Sequence, residues 1–455
     1  MLPEHLVGRR IGILGFGRNH QALLGWLVRH GVSALTVFDE SPDAEVRVRE
    51  AGFAVPVVAG PTAFASLDAD VLFRSPGIPR HRSELVDAEA QGAYLTSQTE
   101  LFLEVCPALT VGVTGTKGKS TTSALTAHLI SASGRRCYLA GNIGKDPFEF
   151  LDELSADDVV VLELSSFQLD GLRLSPRVGI VVGVTVDHLD HHRSVAEYHA
   201  AKATIVVNQG ADGIAILNAD DPVSASYATG LRGQTLYFSV TRPVTAGCAL
   251  SGESFQWYVP GEEPRTIATV ADVPLLGTHH RRNVAAALTA ALALDVPTEV
   301  LQPALRSFVG LPHRLQRIHE AHGIQYYDDS YATMPDATIA ALESMSGPFH
   351  LIVGGSDKGA TWEALSQAIA QTNPVTLLVM GQTGPAIASA ARAAGYASER
   401  IIEVGTLERA MTVARERVQP GELVLLSPAS ASFDQFKNAG ERGDRFAELA
   451  RTGDA

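Results

Sequence analysis

Strand-length apolar runs alternate with helix-length patterns along nearly the whole chain. Parallel strands need a crossover between them, and a helix is the usual one. The alternation therefore predicts α/β units built on parallel sheets. The first block opens with a strand at 11–14, a glycine and a helical stretch to about His30, with Leu23, Leu24, Leu27 and Val28 on one face. Further strands read at 35–38, 57–59 and 71–73, and the loop Ser75-Pro76-Gly77-Ile78-Pro79 follows the last. A second block has strands at 109–113, 159–164, 179–185 and 214–217. Short runs at 236–239, 255–259 and 266–270 read as an antiparallel insert, and a helix from near His280 closes the block. A third block, with strands at 325–328, 350–353, 376–380, 401–404 and 423–426, again predicts an open parallel sheet. At roughly 150 residues per domain, 455 residues suggest about three domains, here 1–106, 107–310 and 311–455.

Composition limits the function classes. Lys and Arg number 36 against 50 Asp and Glu, a net charge of −14. A cationic nucleic-acid binder is excluded, because phosphate backbones attract clustered Lys and Arg. An acidic chain that binds anions needs local devices: backbone N–H groups, a few placed cations or a metal. The three cysteines, Cys106, Cys137 and Cys248, fit neither a disulfide framework nor a zinc spacing and read as reduced thiols. Early charges at Glu4, Arg9 and Arg10 do not suit a signal peptide, and the longest apolar runs fall short of the ~20 residues of a membrane helix. The expected location is cytoplasmic.

One segment carries a specific chemistry. Gly115-Thr116-Lys117-Gly118-Lys119-Ser120-Thr121 follows a predicted strand and opens a predicted helix. Glycines let the backbone wrap a phosphate, and the helix start adds N–H donors and a favourable dipole. Lys119 would reach terminal phosphates, with Ser120 or Thr121 meeting Mg²⁺. The strict pattern wants glycine at Val113, whereas here it sits at Gly112.

A second glycine turn, Gly15-Phe16-Gly17-Arg18-Asn19-His20, also joins strand to helix, with Asp39 about 20 residues on. His20 stands where a dinucleotide fingerprint wants glycine. A tight turn, a dinucleotide site and a site for another diphosphate nucleotide all remain open on this turn alone. Glu163-Leu164-Ser165-Ser166-Phe167-Gln168 and Asp187-His188-Leu189-Asp190-His191-His192 end successive strands, where such sheets bind ligands. Glu163 and His188 suit Mg²⁺ and triphosphate positioning. His191 and His192 read as solvated loop residues, and Lys202, by position alone, as a surface lysine.

Together these segments resemble the Mur ligase family over essentially the whole chain. The likeness rests on Ser75-Pro76-Gly77-Ile78, the phosphate loop, Gly141-Asn142-Ile143-Gly144, the Glu163 and Asp187 segments and Asn218-Ala219-Asp220-Asp221. It continues through Gly310-Leu311-Pro312-His313-Arg314, Asp329-Ser330-Tyr331-Ala332-Thr333, Gly354-Gly355-Ser356-Asp357-Lys358-Gly359 and the run from Leu426 to Lys437. The resemblance implies three domains: an N-terminal Rossmann-like UDP-substrate domain, a central P-loop ATPase-type mixed sheet, and a C-terminal Rossmann-like domain that brings an amino acid. It implies a monomer that uses ATP and two Mg²⁺ ions to join glutamate to UDP-N-acetylmuramoyl-L-alanine through an acyl phosphate.

By motif, Lys119 and Ser120 are expected to hold phosphates and the first Mg²⁺, with Glu163 serving the metals. His188 and a carbamylated Lys202 are expected to hold the second Mg²⁺. Gly15, Phe16, Gly17, Arg18, Asp39, Ser75, Asn142 and Ser165 are expected at the UDP-substrate. Gly115, Thr116, Lys117, Gly118, Thr121, Asn283, Arg314 and Asp329 are expected at ATP, and Thr333, Lys358 and Ser432 at glutamate. Some positions depart from the family pattern. Lys117 stands for Asn in the phosphate loop, and His280 replaces another Asn. Tyr331, Met334 and Ala439 replace Lys, Asn and Phe near the amino-acid site, which leads to the expectation of L-glutamate, with the same reaction on D-glutamate as the alternative. A folylpolyglutamate-synthase-like ligase is the more distant alternative; the N-terminal glycine turn and Ser75-Pro76-Gly77 have no place in it.

Overall fold

A computed structural model describes residues 2–186, 191–275, 277, 279–357 and 359–452, with residue 279 by its backbone alone. Its α/β architecture matches the predicted class. Two compact units are present: Met1–Val273 with Arg281–Arg306, and Pro274–His280 with Ser307–Ala455.

The first unit contains two sheets. Strands β1 (Ile11–Leu14), β2 (Leu35–Asp39), β3 (Val57–Ala59), β4 (Val71–Arg74) and β5 (Tyr94–Thr96) form a parallel five-stranded sheet in the order β3-β2-β1-β4-β5. The order turns back between β1 and β4, which opens a crevice at their carboxyl ends. The second sheet contains β6 (Leu109–Thr114), β7 (Cys137–Gly141), β8 (Val159–Glu163), β9 (Val178–Val181), β10 (Ile214–Asn218), β11 (Gln234–Ser239), β12 (Gly247–Ser251), β13 (Ser254–Tyr258) and β14 (Arg265–Thr269). Its nine strands run β14-β13-β12-β11-β10-β9-β6-β8-β7. Strand β6 pairs in parallel with β8 and β9, so the glycine loop after it leaves from the sheet interior.

The predicted antiparallel insert is only partly antiparallel. Strand β11 joins β10 in parallel and β12 joins β11 in parallel; β13 and β14 then pair antiparallel. The crossover from β10 is the short helix Pro222–Ser226, too brief to read from periodicity. Strand β9 stops at Val181, short of the predicted 185. Beyond it, Val182 N donates to Thr114 O and Val184 N to the Asp221 carboxylate, so the chain turns to follow the loop after β6. Strands β5 and β7 escaped prediction because one spans three residues and the other is a half-buried edge without alternation.

The second unit holds β15 (Gln316–Ala321), β16 (Ile324–Asp328), β17 (Phe349–Gly354), β18 (Thr376–Met380), β19 (Ile401–Gly405) and β20 (Leu423–Leu426). They form a six-stranded sheet, β15-β16-β20-β17-β18-β19, parallel except where β15 pairs antiparallel with β16. Strand β15, Gln-Arg-Ile-His-Glu-Ala, is a polar edge and carries no strand signal.

The two sheets of the first unit share one apolar core. Phe148, 1% exposed, packs edge-on against Trp26 at 5.4 Å and Phe102 at 6.0 Å between ring centres. Trp26 Nε1 donates to Asp152 Oδ1 at 2.9 Å across the same seam. Removing the ring leaves a cavity walled by both sheets. Phe148→Ala is expected to lower stability by about 3–5 kcal/mol and Phe148→Leu by less than about 1.5 kcal/mol, read as the shift in urea midpoint.

Candidate active site

The loop after β6 is bound to the strands on either side. Leu164 N donates to Val113 O, Thr116 N to Gly183 O at 2.7 Å, and Thr114 Oγ1 to Leu164 O. The helix Lys119–Ala132 then begins with Gly118 at φ 85°, a left-handed turn that favours glycine. A side chain there would meet Asn283 Oδ1 at 2.5 Å and Val182 at 2.9 Å, so Asn283 is packed directly onto the turn. Lys119 Nζ donates to Gly115 O and Thr116 O at 3.0 and 2.9 Å. Ser120 and Thr121 are half-buried in the first helical turn, and Lys117 is exposed.

Glu163 closes β8 beside this loop and is 2% exposed. Its Oε1 accepts from Asn142 Nδ2 at 3.1 Å, while Oε2 is buried with no hydrogen-bond partner. A buried carboxylate oxygen left unpaired is costly in isolation and fits a cation. Among the described residues no set of three His, Cys, Asp or Glu gathers into a metal cluster; Asp187, His188 and Asp190 lie outside them. Ser165 caps the short helix Ser166–Leu169 through a reciprocal box with Gln168.

Two expectations are corrected here. Lys202 is not a surface lysine but is 2% exposed, with Nζ donating to Gly115 O at 2.9 Å and lying 4.8 Å from the Tyr198 ring centre. His192 is not solvated but 2% exposed, with Nε2 at 3.0 Å from Ser166 Oγ; the His191 ring lies tilted against Phe167, 4.2 Å between centres. Both corrections have one cause. The helix Val195–Val207 packs against the sheet under the loop, and Tyr198, 1% exposed, ties them together by reaching Thr116 Oγ1 at 2.9 Å.

In the first sheet, the glycine turn is held by its own neighbours. Phe16 N donates to Asp39 Oδ2 at 2.7 Å, Ser41 N to Asp39 Oδ1 and Arg47 to Asp39 Oδ2. His20, in place of the expected glycine, is fully buried and sits 2.7 Å from Gly15 O. Burial pushes its pKa down to about 4, so the imidazole is neutral and donates to that carbonyl. Ser75 lies beside Gly15, and Arg18 reaches Gly144 O at 3.3 Å, in the segment after Asn142.

In the second unit, the turn before β15 places Arg314 next to Tyr331, its guanidinium 5.8 Å from the ring centre. His313 Nδ1 donates to Asp328 Oδ2 at 2.7 Å, which raises the histidine's pKa. Arg442, which sequence reasoning passed over, is 1% exposed and holds two loops by their backbones. It donates to Ser330 O, Ser330 Oγ, Ser430 O and Ala431 O at 2.7–3.1 Å. Its only sequence signal was a charge within an amphipathic helix, which reads as solvated. Ser432 is buried on one of these loops, and Thr333 is half-buried on the other. Lys358 lies outside the described residues.

Asp329 is buried, and desolvation raises its pKa to about 7. Its Oδ1 accepts from Leu315 N at 3.1 Å. Ser427 Oγ lies 2.7 Å from Asp329 Oδ2 and 2.9 Å from Thr338 Oγ1. The Ser427 hydroxyl donates to Asp329 Oδ2, which offsets the desolvation only in part. The folded state thus keeps a proton that the unfolded chain releases near pH 4. Stability falls as pH rises from about 4 to about 7, by an amount of order 3–4 kcal/mol. Asparagine stays neutral at every pH, so Asp329→Asn is expected to flatten this part of the stability profile, measured by urea unfolding at several pH values.

Known proteins place this geometry. Residues 113–291 match the model of the Mur ligase middle domain, and residues 313–430 that of the Mur ligase glutamate ligase domain. The chain is 36% identical to the UDP-N-acetylmuramoylalanine–D-glutamate ligase of Symbiobacterium thermophilum over 97% of both chains. It is also 36% identical to the ligase of the same name from Acetivibrio thermocellus, over 99% of this chain and 97% of that one. Among solved structures, the UDP-N-acetylmuramate–alanine ligase of Thermotoga maritima shares the fold at TM-score 0.58 and 18% identity, covering 98% and 100% of the two chains. The Thermotoga maritima MurF ligase in complex with ADP does so at 0.57 and 18%, covering 99% of each.

The names of these relatives overturn the expectation of L-glutamate. Tyr331 and Met334 are 47% and 50% exposed, with Tyr331 against His313 and Arg314. Ala439 offers its carbonyl to Ser330 Oγ at 2.7 Å. By the extent of its similarity, the chain belongs to the Mur ligase family, ATP-dependent enzymes that form amide bonds.

Proposed function

We propose that this chain joins D-glutamate to UDP-N-acetylmuramoyl-L-alanine at the expense of ATP. The observation that carries this reading is similarity along almost the whole chain to ligases named for that reaction. The expected domains, 1–106, 107–310 and 311–455, then serve the UDP-substrate, ATP and glutamate in turn.

The proposed reaction has two steps. The alanine carboxylate attacks the γ-phosphorus of ATP, giving an acyl phosphate and ADP. The glutamate amine then attacks the acyl carbon and inorganic phosphate leaves. Gly115, Thr116, Lys117, Gly118, Ser120 and Thr121 wrap the phosphates. Lys119 exchanges its loop carbonyls for phosphate oxygens, offsetting charge on the transferring group. Asn283, packed on Gly118, sits where it can position the nucleotide. The unpaired Oε2 of Glu163 is the donor that fits Mg²⁺, with Ser120, His188 and Lys202 as further ligands. When bound, Mg²⁺ supplies positive charge against the phosphates and the acyl phosphate.

Lys202 ligates only as a carbamate, formed when its neutral amine adds CO₂ and releases a proton. Gly15, Phe16, Gly17, Arg18, Asp39, Ser75, Asn142 and Ser165 hold the UDP-substrate. Arg314 and Asp329 serve ATP, and Thr333, Lys358 and Ser432 serve glutamate. Among the described residues no helix is long and apolar enough to cross a membrane, and we place the enzyme in the cytoplasm as a monomer.

Phosphate release from ATP, Mg²⁺ and UDP-N-acetylmuramoyl-L-alanine tests the reading with each glutamate enantiomer. D-glutamate is expected to turn over at least about tenfold faster, a discrimination within reach of a hydrogen-bonding pocket. Equal or faster turnover with L-glutamate overturns the proposal. Glu163→Gln keeps the shape and removes the charge, and is expected to lower kcat about 100-fold, as loss of a metal-serving group does. Bicarbonate is expected to raise wild-type activity and to leave Lys202→Ala unchanged.

A further inference from the structure

Arg74 ends β4 with its side chain 3% exposed. A guanidinium so buried is costly, and here burial lowers its pKa. Its donors are spent on backbone carbonyls of two separate segments. Nη1 donates to Ile78 O at 2.6 Å, in the Ser75–Pro79 loop of the first sheet. Nη2 donates to Asp170 O at 2.8 Å and Phe167 O at 3.4 Å, at the end of the short helix Ser166–Leu169 of the second. The Asp170 carboxylate stands 3.6 Å away and offsets the charge. Arg80, at the far end of the same loop, repeats the arrangement: it donates to Gly171 O at 3.3 Å and pairs with Glu89 at 2.9 Å.

Two arginines therefore fasten one loop of the first sheet to one stretch of the second. A planar fork with several donors fixes direction as well as distance, which a lysine cannot do. The loop carries Ser75, and the stretch it is tied to begins with Ser165 and its capping partner Gln168. We infer that Arg74 is a positioning residue for the UDP-substrate: it holds the Ser75 loop and the Ser165 helix in register, so that the two sheets present one preformed surface to the sugar nucleotide. Resting on the proposed substrate, the inference concerns a residue that touches no reacting atom.

The test is steady-state kinetics on the full chain with saturating D-glutamate, varying UDP-N-acetylmuramoyl-L-alanine and ATP separately. Wild-type saturation by the UDP-substrate establishes the substrate itself, so its absence would count against the functional reading rather than this one. Arg74→Met is expected to raise the UDP-substrate KM at least tenfold, with the ATP KM within about twofold of wild type. Arg74→Lys, which restores a single donor nitrogen without the planar fork, is expected to recover part of that loss. Should Arg74→Met fail to fold, Arg80→Met loosens the same loop from its more exposed end and is expected to raise the same KM about threefold. A parallel rise in both KM values, or a UDP-substrate KM unmoved in folded Arg74→Met or Arg80→Met, overturns the inference.

Discussion

The loop that follows β6 is gripped from both sides by backbone hydrogen bonds that outlast the strands themselves. Val113 and Thr114 accept from Leu164 and Val182, and Thr116 donates to Gly183. Everything proposed for catalysis depends on this. A phosphate-wrapping loop works through the direction of its N–H groups, and direction is what a floppy loop cannot keep. The extensions of β8 and β9 serve as rails. They also deliver Glu163 and the segment after Val181 to the same end of the sheet. The loop and the carboxylate are thus neighbours because β6 pairs with β8, not because they are close in sequence.

Beneath the loop, the helix Val195–Val207 brings a lysine to a place where charge is normally excluded. The Lys202 ammonium is held by the Gly115 carbonyl, the Thr114 hydroxyl and the face of the Tyr198 ring.

Much of this was legible in the sequence. The strands at 11–14, 109–113, 376–380 and 423–426 are dense β-branched or leucine runs bounded by turns, and they formed where periodicity placed them. The phosphate loop announced itself by glycines and lysines at a helix start. What escaped was decided by contacts distant in sequence. Strand β15 is polar and exists because β16 offers an edge; β11 is parallel because a helix of five residues suffices as a crossover. Lys202, His192 and Arg442 carry charge or polarity at positions that read as solvated, and only tertiary packing buries them. The departures at Tyr331, Met334 and Ala439 misled for the opposite reason. Their chemistry looked decisive in a list of residues, yet the relatives at 36% identity are named for D-glutamate.

The shared core around Phe148 has a consequence for how such a chain can be rearranged. Trp26 and Phe102 come from the first sheet's layer and Phe148 from the second, and none of the three has a full set of neighbours without the others. A cut at residue 106 would therefore expose a wet, aromatic face on both pieces. Exchange of the first hundred residues between related ligases would succeed only where the recipient carries a matching face. The sequence boundary marks a change of sheet, but modularity in the sense of recombination begins further along, where this core ends.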